Sequence, residues 1–123
     1  MYVLRNMIDA VKPGGLILDL QVIRPNPVIE AAGRVVCEID GEPLFRRADT
    51  AAAALDVAAH EGVLSEEARD DHDVREHFTD GEELIEAFAE RERELPVPEL
   101  PTLRRLGRCA VRERCRLRKF RVH

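Results

Sequence analysis

Four polar residues stand close together early in the chain: Asp19, Gln21, Arg24 and Asn26. Asp19 and Gln21 are two positions apart, so in a strand both side chains lie on one face, and Arg24 and Asn26 follow in the adjoining segment. Asp19 and Gln21 lie toward the C-terminal end of their strand, where open α/β sheets place ligands. The four are therefore the candidate substrate-binding residues. The plainer expectation beside it is that they hydrogen-bond at a sheet face or an interface.

A second set lies in the tail. Arg112, Arg114, Arg116 and Arg118 alternate along the chain, which in a strand aligns four cations on one face and makes a candidate interface or anion face. Such a face could bind nucleic acid. Against that, the aromatic interleaving of a single-strand platform is missing and the chain carries a net charge of −5, so nucleic acid is disfavoured as a partner. The region from Glu61 to Glu94 is rich in acids, and pairing inside the chain explains the arginines more economically. If residues 72–78 lie beside the tail, Asp73 and Glu76 face the ladder as cross-strand charge pairs.

The remaining reactive types form no pattern. His60, His72, His77 and His123 have no zinc-ligand spacing to one another or to Cys37, Cys109 and Cys115, so no metal is expected. No histidine is placed beside a cysteine to activate it, and the cysteines read as small buried hydrophobes. On one strand, Cys109 and Cys115 would lie about 20 Å apart and could not bridge. No catalytic residue can be named.

The elements that position these residues can be read in part. Val3, Leu4, Met7, Ile8 and Val11 share a helical face, predicting a helix over 2–11 that Lys12, Pro13, Gly14 and Gly15 end. Leu16 to Ile23 then reads as a strand with apolar residues on both faces, the habit of a parallel sheet covered by helices. Pro25 and Pro27 predict a loop. Residues 34–39 and 43–47 flank Asp40-Gly41 and predict a short hairpin, with Pro43 at a sheet edge. Asp49 and Thr50 would cap a helix over 51–61, ended by Gly62. A loop over 63–71 and a short strand over 74–78 follow. Thr79 with Glu82 and Asp80 with Glu83 have capping-box spacing, predicting a helix over about 81–93 before a stiff connector at Pro96, Pro98 and Pro101. From Cys109 the tail alternates as a half-exposed strand, and its apolar set shifts by one residue near Lys119, as a bulge or the strand's end would cause.

Composition sets the outer bounds. Hydrophobic residues make up 45% and charged residues 35% of 123 positions, enough for one folded domain with a modest core over residues 1–123. No apolar run approaches the roughly 20 residues needed to span a bilayer, and no basic-then-apolar leader opens the chain, so a cytoplasmic location without membrane contact is expected.

The stretch LRNMIDAVKPGGLILDL, together with HFTDGEELIEAFAE and CAVRERCRLRKFRV, resembles the C-terminal half of a class I S-adenosylmethionine-dependent methyltransferase, with its Pro-Gly-Gly turn before a strand, last helix and final antiparallel strand. The resemblance implies an α/β fold: a partial doubly wound, Rossmann-like sheet with an antiparallel terminal strand, a β-hairpin insertion and about three helices. It also implies a departure. In that family a glycine-rich turn after the first strand holds the cofactor, and this sequence has none. Gly14-Gly15 precede a strand, whereas a cofactor-cradling turn follows one and opens a helix.

The expectation is a methyltransferase-like module with an assembly or binding role and no cofactor of its own. The alternative is the C-terminal part of an active methyltransferase, supplied with S-adenosylmethionine when another chain completes it. A third, an arginine-rich nucleic-acid binder, ranks last. The strand over 16–23 would miss its family neighbour, and its open edge predicts a homodimer or a complex.

Overall fold

The computed structural model describes residues 8–123. Most of the expected helix over 2–11 lies outside the described residues; positions 8–10 are helical. From there the order is β1 (Leu16–Ala31), β2 (Arg34–Glu38), α1 (Glu42–His60), β3 (Leu64–Phe78), α2 (Gly81–Glu90), a 3-10 turn (Val97–Glu99), α3 (Leu100–Arg104) and β4 (Cys109–Val122). The class is α/β, with a four-stranded antiparallel open sheet in the order β2-β1-β4-β3. Contacts divide the chain into two compact units. The first holds Leu44–His72 and Cys115–His123 with the segment ending at Ile23; the second holds Arg24–Pro43 and Asp73–Arg114.

In the first unit, Ile17, Leu55, Ala58, Leu64, Phe120 and Val122 form the core, with Ile8 and Val11 packed against it. Gly14 N–H donates to Val122 O at 2.7 Å and Val122 N–H to Gly15 O at 2.9 Å, so the Pro-Gly-Gly turn feeds β1 into antiparallel register with the end of β4. The strand over 16–23 was expected to be buried on both faces in a parallel sheet. Only one face is covered: Ile17 is buried, whereas Leu16, Leu18 and Leu20 are exposed, and the neighbouring strands are antiparallel.

In the second unit, Ile29, Ile39, Phe78, Leu84, Phe88, Leu103, Cys109 and Val111 form the core. Here the chain departs from the predicted hairpin. Its turn is Ala32-Gly33, with φ of 52° and 74°, the left-handed pair that a tight two-residue turn requires, and β2 pairs with β1 from Val28↔Glu38 to Ala31↔Arg34. Asp40-Gly41 instead leads into α1. Asp40 Oδ1 accepts from Glu42 N–H and Asn26 Oδ1 from Gly41 N–H, both at 3.1 Å, and Pro43 sits in the first turn, where its missing donor is harmless. The residues expected to form the second hairpin strand, 43–47, are therefore helical. The expected loop at Pro25 and Pro27 is also strand; β2 pairing starts only at Val28, and the stretch before it tolerates proline as an edge does.

The α2 cap forms as its spacing predicts. Asp80 accepts from Glu83 N–H at 2.9 Å, while Glu83 Oε2 reaches back to Thr79 N–H at 2.7 Å. The helix ends at Glu90, before the expected 93, with Glu92 in the left-handed region at φ 54°. The expected stiff connector is instead a 3-10 turn and α3, because Pro98 and Pro101 each stand in a first helical turn. Gly81 lies against this segment: a Cβ there would fall 1.7 Å from Leu103 O.

The largest difference is β3. A loop over 63–71 and a short strand over 74–78 are replaced by one 15-residue strand, buried only at its ends, Leu64 and Phe78. Its middle has almost no apolar side chain, so propensity and patterning argue against a strand. What holds it is the row of arginines on β4.

Candidate functional site

The exposed side of β1 is made by alternation. With Ile17 turned into the first unit's core, Leu16, Leu18 and Leu20 point the other way and are 44%, 64% and 56% exposed. Residues 16–23 have β4 on one side. On the other, β2 pairs only with Val28–Ala31, so among the described residues the edge of 16–23 is open. An unpaired strand edge beside three exposed leucines is a surface suited to pairing.

Of the four candidate binding residues, only Asp19 and Gln21 hydrogen-bond to each other among the described residues, Gln21 Nε2 donating to Asp19 Oδ1 at 2.8 Å. Asp19 Oδ2 is buried and has no hydrogen-bond partner among them. Arg24 pairs with Glu42 at 3.4 Å, and Asn26 holds Gly41 at the start of α1. Arg24 and Asn26 thus have local structural partners.

The arginines of β4 are engaged by acids. In the first unit Arg116 grips Asp71 through two bonds, at 2.8 and 2.9 Å, and Arg121 binds Glu67 and donates to Gly14 O. Arg118 leaves the ladder face. It is 5% exposed, bonds Glu66 at 2.5 Å and Asp56 at 2.6 Å, and stacks over Phe120 at 4.7 Å. The reason is the period slip: the buried set changes parity between Cys115 and Arg118, slightly before Lys119, and carries Arg118 inward with Phe120 and Val122. Burial alone would lower its guanidinium pKa, but hydrogen bonds to Glu66 and Asp56 outweigh that and raise it. Burial likewise would raise the Glu66 carboxyl, yet bonds from Arg118 and Arg69 hold it below its usual value.

In the second unit Arg114 pairs with Asp73 at 3.3 Å, and Arg112 with Glu30 at 3.2 Å and Asp73 at 3.9 Å. Asp73 thus faces the ladder as the charge pattern suggested. Glu76 does not; it takes Arg91 in a two-bond pair at 2.6 Å. Sequence reasoning missed Glu30, which also accepts from Arg75 Nε at 3.0 Å and whose carboxyl is held low by that bond first. Its only signal was an acid on a strand face opposite arginines far along the chain.

The other reactive residues stay apart. Burial pushes the Cys37 and Cys109 thiols up, which disfavours the thiolate a nucleophile needs. Among the described residues no group of three or more His, Cys, Asp or Glu is placed to hold a metal. His72 lies 2.9 Å from Asp70, and His123 bonds Ser65 at the end of β4.

Comparison with family models, curated proteins and solved structures gave no match. Among the described residues no helix is long and apolar enough to cross a membrane.

Proposed function

We propose that this chain is a methyltransferase-like assembly module, without a cofactor site of its own, that pairs with a second copy of itself through the open edge and leucine face of β1. The observation that carries the reading is the exposure of Leu16, Leu18 and Leu20 beside an edge that has no partner strand among the described residues. The resemblance adds support at one place: the Pro13-Gly14-Gly15 turn runs directly into β1.

A second copy suits this edge for electrostatic and geometric reasons. Over residues 16–23 the only charge is Asp19, which alternation places on the Ile17 face, so the leucine face itself carries no charged side chain. Antiparallel pairing of one strand with itself obeys the two-fold symmetry that most dimers use. The three leucines together expose about 1.6 leucine side chains of surface. At about 1.5–3 kcal/mol per fully buried side chain, covering them is worth about 2.5–5 kcal/mol per copy. For two copies that is about 5–10 kcal/mol against an association cost of about 4–15 kcal/mol, so the leucines alone support at best a dimer with a Kd of some tens of micromolar.

The same face supports a second reading, in which a separately encoded N-terminal half covers the leucines and completes an active methyltransferase that uses S-adenosylmethionine. Light scattering on the purified chain at about 100 µM, with calorimetric titration of S-adenosylmethionine, separates the readings. A dimer that does not bind S-adenosylmethionine is expected. A monomer at that concentration sinks the self-pairing, and micromolar S-adenosylmethionine binding by the chain alone sinks the module without a cofactor site.

A further inference from the structure

The second unit contains an open surface cleft of about 630 Å³ beside the Ala32-Gly33 turn. Its polar lining holds two guanidiniums, one imidazole and one carboxylate. Arg75 and His77 stand two apart on β3, Arg108 precedes β4, and Glu30 is the only carboxylate among the lining residues. Glu30 is already held by two guanidiniums, Arg75 at 3.0 Å and Arg112 at 3.2 Å. Arg75 uses its Nε for that bond and has further N–H groups to offer. Arg108 has no ion pair among the described residues, unlike the four arginines that alternate along β4 after it. A chain of net charge −5 therefore keeps a cleft whose lining has a local excess of positive charge. Ala110 adds a methyl wall.

We infer that this cleft binds a small molecule carrying one phosphate or carboxylate group on a compact apolar body. The Arg108 fork grips two oxygens of the anion in parallel N–H···O bonds, the geometry in which a guanidinium outperforms a lysine. Arg75 and His77 donate from the β3 side, and the alanines accommodate the apolar part. Phosphate and carboxylate share this chemistry, and phenyl phosphate and benzoate serve as separate probes for them.

Each probe is titrated at constant ionic strength while amide signals are followed by two-dimensional NMR. Saturable shifts centred on Ala32, Gly33 and Ala110 are expected for at least one probe, and the tighter one identifies the anion class. Arg108→Gln should weaken binding about 10-fold or more. Arg105→Gln, outside the cleft, should leave it unchanged. Shifts that rise linearly with both probes, or an Arg108→Gln protein that binds as tightly as the unaltered one, would overturn the assignment.

Discussion

Replacing Arg118 with leucine tests what holds β3 to β4. The side chain is 5% exposed, and its Nε and Nη2 serve Glu66 and Asp56 at 2.5 and 2.6 Å. Breaking a fully buried ion pair costs about 3–5 kcal/mol because the abandoned charge stays buried. Here the abandoned charges have outlets: the Asp56 side chain is 63% exposed, and Glu66 keeps Arg69 at 3.0 Å. That reduces the electrostatic loss, while the cation–π contact to Phe120 adds about 0.5–1 kcal/mol. The expected destabilisation is about 2–3 kcal/mol, or a drop of about 1–2 M in urea midpoint followed by far-ultraviolet circular dichroism. The pH dependence has a definite sign. The Glu66 carboxyl is depressed in the folded state, so the cluster contributes fully above the unfolded value of 4.5 and is lost as pH falls through the lower folded value. The deficit of Arg118→Leu should therefore shrink in acid. Adding Glu66→Leu at neutral pH should recover part of the loss, because it removes the abandoned charge. A variant within about 0.5 kcal/mol of the unaltered protein, or a deficit unchanged down to pH 3, would refute this account of the burial.

Leu18→Glu should abolish self-association in light scattering and leave the circular dichroism spectrum unchanged, since this leucine is 64% exposed; a persisting dimer would place the contact elsewhere. Gly81→Ala should cost about 2–3 kcal/mol or more in urea melts, because its Cβ would fall 1.7 Å from a backbone oxygen, whereas Gly62→Ala, with open space but φ of 80°, should cost about 1–2 kcal/mol. Ala32→Gly should raise the urea midpoint slightly, by relieving a left-handed alanine in a tight turn. Folding stability overall should fall as pH drops below the usual carboxylate range, since Glu30, Glu66, Glu67 and Glu76 are all held low by arginines, and a flat profile would argue against the ladder.

Several local features were legible because they depend on neighbouring residues alone. The Pro13-Gly14-Gly15 break, the Asp80/Glu83 cap, the strand beginning at Cys109 and its slip in period follow from backbone freedom, side-chain reach and alternation. The hairpin was misplaced because Asp40-Gly41 suits a helix start as well as a turn; Asn26, distant in sequence, holds Gly41 N–H beside the Asp40 cap, and Phe45 and Ala48 are buried along α1. The strand over 64–78 was hidden for a stronger reason. Its residues have little reason to be extended until Asp71 and Asp73 meet Arg116 and Arg114 more than 40 positions away.

The candidate sites divide along the same line. The sequence by itself determined that four arginines alternate in the tail, that Asp19 and Gln21 share a strand face, and that the strand from Leu16 is apolar on both sides. Tertiary structure decided that Arg118 is buried between two acids, that Asp19 and Gln21 bond each other, and that the leucine face is uncovered. It also placed Glu30, Arg75 and Arg108 around one cleft. The physical reason is that alternation fixes which side chains share a face, while exposure and pairing depend on what the rest of the chain brings to that face.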